Sequence, residues 1–274
     1  MDTVCMMVLG GDFMMRFVFS IVVLGIAAVY YAFKKSGGYK WVYGNGRIVE
    51  VAETVDPYQR VSVHHSIKLD VVHGDSNTLV IEADENIVEY LNVYTESGCL
   101  HLGIQPDVII KRGRIHAKAT AKGLKSIRGT GATEISLAPK VVDPLQFDVK
   151  ITGACDFTGS IVSEEVVFQS SGAANCKVHT DSKSFNLKLS GASEFRGTGQ
   201  VESFDLKASG ASSIKGKELM TNSAFINLSG ASSVKLKVLK YAEVTASGGS
   251  DIVLLGQPTI GKQSVGSASS FKVK

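Results

Sequence analysis

A glycine recurs at a nearly constant interval through the second half of the chain, and this repeat limits the possible folds more than any other feature. It lies in a short phrase of small residues, which reads Ser190-Gly191-Ala192-Ser193 in one copy. The steps between successive glycines are 22, 19, 19, 19, 20 and 18 residues, a period typical of stacked repeats. The repeated positions are Gly131, Gly153, Gly172, Gly191, Gly210, Gly230 and Gly248.

Large apolar residues alternate with polar ones inside each repeat, as they do in a half-buried β-strand. Phe185, Leu187 and Leu189 precede one glycine in this way, and Phe195 follows it. A unit of about 19 residues with two or three short strands is the size of one coil of a solenoid. The sequence therefore predicts an all-β fold, a parallel β-helix with an N-terminal membrane helix. The chirality of parallel crossovers predicts that it winds to the right.

The glycine phrase interrupts the run of large side chains without breaking the alternation, so we interpret it as a structural corner rather than a linker. By parity, the glycine and the second serine face inward, where a Cβ on the glycine would collide with the facing strand. The first serine and the alanine face outward and form a regular, mildly polar strip. This strip is the candidate binding face, and its central members are Ser190, Ala192, Ser209, Ala211, Ser229 and Ala231.

The chain divides into five parts by composition and pattern. Residues 1–16 are a leader, 17–33 a transmembrane anchor or signal peptide, and 34–43 a linker. Residues 44–104 carry irregular strand patterns and are expected to form capping coils at the N-terminal end. Residues 105–274 form the repeat β-helix.

The stretch FVFSIVVLGIAAVYYAF, residues 17–33, is an uncharged run between Arg16 and Lys34-Lys35. Its length is at the short end for a membrane-spanning helix and slightly long for a signal-peptide core. We expect an uncleaved anchor, with secretion after signal cleavage as the alternative. Lys34, Lys35 and Lys40 outnumber Arg16, which favours a cytoplasmic C-terminal part by the positive-inside rule, so the orientation stays open.

Charge and cysteine content exclude several kinds of partner. The formal charge of +3 is nearly balanced and no long basic run occurs, so nucleic acid is not an expected partner. The four cysteines lack a C-x-x-C spacing, and the six histidines lack a metal-ligand spacing. We therefore expect no metal and no cofactor. Cys155 and Cys176 lie about one repeat apart, so a disulfide between neighbouring coils is conceivable.

Two patterns have both a catalytic and a structural interpretation. Gly191-Ala192-Ser193 lacks the second glycine and the helix of a nucleophile elbow, and its serine recurs as Ser212, Ser232 and Ser250, so we expect no nucleophile there. Glu134 and Asp156 would stack in adjacent coils, about the separation that retaining glycosidases need. Lysines and arginine occupy the neighbouring outward column, so an ion-paired solvated face is the preferred interpretation. We expect no catalytic residues.

Three stretches follow one another in order: YGNGRIVEVAETVDPYQRVSVHHSIKLDVVHGD, then LVIEADENIVEYLNVYTESGCLHLGI, then the repeated SGAS coils. Together they resemble the putative auto-transporter adhesin, head GIN domain family, over residues 44–274. Ser66-Ile67-Lys68 stands where the family usually has Gly-Ile-Asn, which weakens any role assigned to those positions. The resemblance implies a β-helical fold and a location in the bacterial envelope.

These observations lead to an expected function. The protein is expected to be a non-catalytic, membrane-anchored β-helix of the bacterial cell envelope, periplasmic or surface-exposed, that serves as an adhesin or as a scaffold for a protein or glycan ligand. The alternatives are a polysaccharide-degrading enzyme on the same scaffold and a membrane-tethered sensory scaffold.

Overall fold

The computed structural model describes residues 38–142 and 145–274 and shows an all-β solenoid. One 3-10 turn, Val88–Tyr90, is the single helical element of the described residues. The strands are β1 (Lys40–Tyr43), β2 (Ile48–Glu53), β3 (Arg60–His65), β4 (Lys68–His73), β5 (Thr78–Asp84), β6 (Leu91–Glu96), β7 (Cys99–Ile104), β8 (Val108–Lys111), β9 (Ile115–Ala121), β10 (Ser126–Gly131), β11 (Glu134–Val142), β12 (Gln146–Gly153), β13 (Asp156–Gly172), β14 (Asn175–Gly191), β15 (Glu194–Ala208), β16 (Ser213–Leu228), β17 (Ser233–Ala246), β18 (Asp251–Leu255), β19 (Thr259–Val265) and β20 (Ser270–Val273).

Two parallel ladders run along the stack, one on each side of the glycine corner. The pre-corner ladder consists of segments that end at the corner, such as β3, β10 and β12. The post-corner ladder consists of segments that begin there, such as β4 and β11. From β13 to β17, one long strand bends and supplies both ladders in turn. The parallel solenoid predicted from the repeat is thereby confirmed.

The interior of the stack is filled by the large apolar residues of the alternation. Phe185, Leu187 and Leu189 of β14 are all buried, while the residues between them face outward. Five phenylalanine rings from successive coils meet edge to face, with centroids 5.3 to 5.7 Å apart. Each buried ring contributes about 1.5–3 kcal/mol through its area, and each edge-to-face contact about 0.5–1.5 kcal/mol more. These rings belong to Phe157, Phe168, Phe185, Phe195 and Phe204.

Antiparallel strands close the N-terminal end of the stack. On the post-corner side β2 pairs with β5 and β5 with β9, and β9 then pairs in parallel with β4. On the pre-corner side β6 pairs with β7, which pairs in parallel with β3. Because β3 and β4 pair directly with β10 and β11, the first regular coil begins near residue 60 rather than at 105.

The corner of that first coil could not be recognised from the glycine repeat, because its corner residue is His65 and not a glycine. His65 is the register partner of Gly131 and has a φ of +69°, in the left-handed region that glycine normally occupies. Ile104 donates its backbone N–H to Nδ1 of His65 at 3.3 Å, and this bond helps to hold the corner.

Near the N-terminus, one part of the predicted division differs from the structure, and another lies outside the described residues. Residues 40–43, assigned to a linker, form β1, which pairs in parallel with β8. Within it, the buried Val42 lies between the exposed Trp41 and Tyr43, as successive side chains of a strand do. The predicted leader and the membrane segment 17–33 lie outside the described residues. Within residues 38–142 and 145–274, no helix is long and apolar enough to cross a membrane.

Candidate functional site

The corner glycines form one continuous column along the stack. Gly131 is the register partner of Gly153, Gly153 of Gly172, and Gly172 of Gly191. All seven repeat glycines have a positive φ, between +76° and +104°. At the corners from Gly153 to Gly230, the N–H of the following alanine donates to the carbonyl of the glycine one coil earlier, as Ala211 does to Gly191 at 2.8 Å. The corner therefore continues the ladder hydrogen bonds around the bend.

The direction in which the glycines face differs from the prediction. They do not face inward as their parity suggests; Gly191 and Gly210 are exposed. A residue in the left-handed region turns the backbone, so the glycine itself leaves the inward face, although the same parity is buried again at Ser193 and Phe195. A Cβ on Gly210 would meet the backbone of Gly191 in the preceding coil rather than a facing strand.

The second serine of the phrase is buried and closes the corner from inside. Ser193, Ser212 and Ser232 are each 1% exposed. The hydroxyl of Ser212 donates to the carbonyl oxygen of Ser209 at 3.1 Å, and that of Ser232 to Ser229 at 3.2 Å. The side chain of the fourth residue of the phrase is thus hydrogen-bonded to the backbone of the first. A buried hydroxyl committed to a backbone carbonyl suits a structural role and not a nucleophile.

The first serine and the alanine of each phrase lie on the outside, as the candidate binding face requires. A shallow groove of about 410 Å³ runs across the coils beside this serine column. Its other side is a column of longer polar residues, in which Lys150, Gln169, Lys188, Lys207 and Asn227 are successive register partners. The groove brings Ser190, Ser209 and Ser229 together with these residues, whereas Ala192, Ala211 and Ala231 lie beyond its rim.

Charge distinguishes this groove from the opposite face. No acidic residue lines it, and within the part of the chain that the structure describes Lys150 and Lys188 make no ion pair. Lys207 lies 3.9 Å from Asp205, at the limit of an ion pair. The groove thus presents three lysines, a row of hydroxyls and two side-chain amides, a combination suited to a ligand with negative charges and hydroxyl groups.

Glu134 and Asp156, the candidate catalytic acids, lie on the post-corner face. Glu134 and Asp156 are register partners, but the carboxylate of Glu134 accepts a hydrogen bond from Lys68 at 2.7 Å and that of Asp156 accepts one from the Asn175 amide at 3.0 Å. In the same column, Lys215 and Arg196 both donate to Glu194 and hold its pKa below the ordinary value. This is the arrangement of an ion-paired face.

Two charged clusters were not found from the sequence. Near the N-terminal end, the ring of His116 lies between two carboxylates, with Nε2 2.7 Å from Asp70 and Nδ1 3.7 Å from Glu82. These residues come together only through the pairing of β4, β5 and β9. Among the described residues, no group of three His, Cys, Asp or Glu side chains is arranged to hold a metal ion.

The second cluster lies in the last coils. Residues 213–274 contain eight lysines against three acids, an excess of five positive charges in a chain whose total is +3. The positive charge of Lys217 lies close enough to lower the pKa of the Lys235 ammonium group. Burial of Lys235 lowers that pKa further. The sequence shows the excess of lysines, but only the coil register shows that they share a face.

A protein-family model describes residues 57–258 of the chain as putative auto-transporter adhesin, head GIN domain. The chain belongs to this family. The match covers most of the sequence, and it confirms the resemblance noted from the sequence. A comparison with curated protein sequences finds none that matches.

Solved structures share the fold of this chain. A putative lipid binding protein from Parabacteroides distasonis is 17% identical with a TM-score of 0.81, covering 86% of this chain and all of its own. A putative adhesin from Parabacteroides merdae is 16% identical with a TM-score of 0.80, covering 85% of this chain and 99% of its own. A second putative adhesin from P. distasonis is 15% identical with a TM-score of 0.79, covering 86% of this chain and all of its own. At these identities the likeness concerns the fold alone.

Proposed function

We propose that the protein is a non-catalytic, adhesin-like binding scaffold of the bacterial cell envelope, attached to the membrane by residues 17–33. The family assignment supports an envelope adhesin, and the uncharged run at 17–33 supports attachment. The part that binds is the solenoid, whose rigid coils place the same side-chain types at regular steps of about 4.8 Å.

The observation that carries this proposal is the acid-free groove beside the serine column. Its lysines would pair with carboxylate or sulfate groups, and its hydroxyls can both donate to and accept from sugar hydroxyls. No aromatic side chain lines the groove, so the base stacking that supports single-stranded nucleic-acid binding has no platform there. The ligand that fits best is an acidic glycan.

The repeated geometry also accounts for how a shallow groove could hold such a ligand. Each lysine near a polyanion contributes about 1 kcal/mol, which is too little for a useful single contact. A polymer that spans several coils makes these contacts together, so the affinity comes from their number. The ion-paired acids of the opposite face support a non-catalytic role, because each has a basic or amide partner.

The test is the affinity of the full-length protein, in detergent, for polygalacturonate and dextran sulfate, with neutral dextran as the reference. The triple variant Lys150→Gln, Lys188→Gln, Lys207→Gln should bind the acidic polymers about 100-fold more weakly, since about 1 kcal/mol is lost at each of the three lysines. The matched control is Lys177→Gln, Lys235→Gln, Lys272→Gln, which removes the same charge from the post-corner face.

The control should retain its affinity within about 3-fold, which corresponds to less than 1 kcal/mol. Equal losses in both variants would show a response to net charge alone, and a loss confined to the control would move the site to the other face. Release of new reducing ends from either polymer would overturn the non-catalytic assignment. Protease accessibility in intact cells and spheroplasts tests the orientation and with it the sensory alternative.

A further inference from the structure

Strand β1 and the residue before it expose three aromatic side chains on one side. Tyr39, Trp41 and Tyr43 are 50%, 55% and 61% exposed, whereas Val42 between them is 7% exposed. Successive side chains of a strand point to opposite faces, so the three aromatics share one face while Val42 packs against the protein. Soluble proteins seldom expose large rings in such close sequence, and such a patch marks a contact surface.

The exposure does not come from a loose strand. β1 pairs in register with β8, from Lys40 opposite Val108 to Tyr43 opposite Lys111. The side-chain amide of Asn86 donates to the carbonyl oxygen of Tyr43 at 2.7 Å, which ties the end of β1 to the body of the protein. The aromatic face is therefore held in a fixed position.

The loop after β1 is fastened by a buried carboxylate. Asp84 is 2% exposed and accepts the backbone N–H of Gly46 at 2.6 Å and that of Arg114 at 2.7 Å. One side chain thus joins the loops that follow β1 and β8, so the two strands stay together.

One lysine lies against the aromatic face, and a second extends from the other face of the strand. Nζ of Lys111 lies 4.8 Å from the centroid of the Trp41 ring, and Nζ of Lys40 donates to the hydroxyl of Tyr90 at 2.5 Å. Tryptophan and tyrosine concentrate at the membrane–water interface, where their rings lie at headgroup level. Lysines at that level are attracted to anionic phosphates. The two residue types together fit a lipid headgroup layer better than they fit a purely apolar partner.

The position of β1 in the chain points to the same surface. Only residues 34–38 separate the uncharged run 17–33 from Tyr39. Five residues span at most about 18 Å when fully extended. If the run lies in a bilayer, β1 is unable to move beyond the neighbourhood of the headgroups. Lys34 and Lys35 add positive charge in this short segment.

We propose that β1 lies in the headgroup layer of the membrane, with Tyr39, Trp41 and Tyr43 in contact with lipid. The strand and the preceding apolar segment then act as one attachment, and the N-terminal cap of the solenoid is held against the bilayer. This inference rests on the proposed membrane attachment by residues 17–33. It assigns a lipid contact to a surface separate from the glycan groove.

Trp41 is the only tryptophan in the chain, so its fluorescence reports on this surface alone. The full-length protein is reconstituted in phosphatidylcholine–phosphatidylglycerol vesicles, and Trp41 is probed with acrylamide from the water and with lipids brominated near the headgroup. The matched control carries Trp41→Phe and Phe225→Trp, which moves the indole to a partly exposed aromatic position in the middle of the stack.

Trp41 should be quenched by the brominated lipid, protected from acrylamide and shifted to shorter emission wavelength, while the control indole stays accessible to acrylamide. Equal acrylamide quenching of both indoles in vesicles would overturn the proposal. Protection of Trp41 that needs no lipid and rises with protein concentration would also overturn it, because a second copy would then cover the face.

Extraction of the vesicles at alkaline pH distinguishes membrane attachment by residues 17–33 from lipid contact at β1. A chain that stays with the vesicles while Trp41 remains open to acrylamide has an anchor but no lipid contact at β1. A chain that is stripped has no anchor, yet brominated-lipid quenching before extraction still shows whether β1 contacts lipid.

Discussion

Gly210 lies so close to Gly191 that a Cβ on Gly210 would be 2.6 Å from the carbonyl oxygen of Gly191. Gly210 also has a φ of +80°, which costs a non-glycine residue about 1–2 kcal/mol. Gly210→Val adds both penalties at one coil, so we expect a loss of about 2–4 kcal/mol in the free energy of unfolding. Thermal and denaturant unfolding followed by circular dichroism would measure it.

The adjacent Ala211 provides the control for this substitution. It is exposed, and Ala211→Val should change the free energy of unfolding by less than about 0.5 kcal/mol. Similar losses at Gly210 and Ala211 would contradict the stacked-corner geometry.

The phenylalanine stack should be the most sensitive part of the core. The Phe195 ring contacts those of Phe168 and Phe185 at 5.6 and 5.7 Å. Phe195→Ala removes a fully buried ring, and we expect a loss of about 3–5 kcal/mol, measured by urea unfolding. Phe225→Ala, at a ring 37% exposed on the surface, should cost clearly less. Equal costs would mean that the coils are not packed as described.

The buried cysteines should be inert in the folded protein. Cys155 and Cys176 are not joined by a disulfide, and burial raises the pKa of the Cys176 thiol to about 12. In a Cys5→Ser background, a thiol reagent should modify the half-buried Cys99 first and reach the other two only on unfolding. Modification of Cys176 at the rate of Cys99 would contradict its burial between coils.

The lysine cluster of the last coils should leave a signature in alkaline stability. Lys217 lowers the pKa of Lys235 below its ordinary value of 10.5, so the unfolded chain binds more protons than the folded one in the range just below 10.5. Through this group, stability should rise as the pH increases toward 10.5. Lys217→Gln should reduce that rise, measured by urea unfolding.

Lys188→Gln, which removes one charge from the other face, is the control for the lysine cluster. It should leave the pH dependence unchanged. If Lys217→Gln also leaves it unchanged, the two ammonium groups do not interact in solution.

The solenoid could be predicted because its period and its alternation are both local. The spacing of the glycines gives the coil length, and the positions of Phe185 and Leu187 give the inward face. The direction of the corner glycines could not be predicted by counting parity, since a positive φ turns the chain. The first corner was missed because His65 takes the conformation that glycine takes elsewhere. The handedness of the winding stays a prediction.

The charged sites were less accessible to sequence reasoning. His116, Asp70 and Glu82 are far apart in the chain and meet only through antiparallel pairing in the cap. One side of the groove, the serine column, could be predicted, because that column follows from the repeat. Its lysines occupy a neighbouring column three residues before the corner glycines, but Gln169 and Asn227 stand at the same position of other coils, so the position recurs and the residue type does not.

Binding of an acidic glycan at the groove beside the serine column can be measured directly. Lysine acetylation of the full-length protein, read by mass spectrometry with and without polygalacturonate, reports the protection of each lysine separately. Protection of Lys150, Lys188 and Lys207, with Lys177, Lys235 and Lys272 still reactive, is the result expected for the groove. Protection of the second set alone, or of neither set at saturating polymer, would contradict the proposed binding surface.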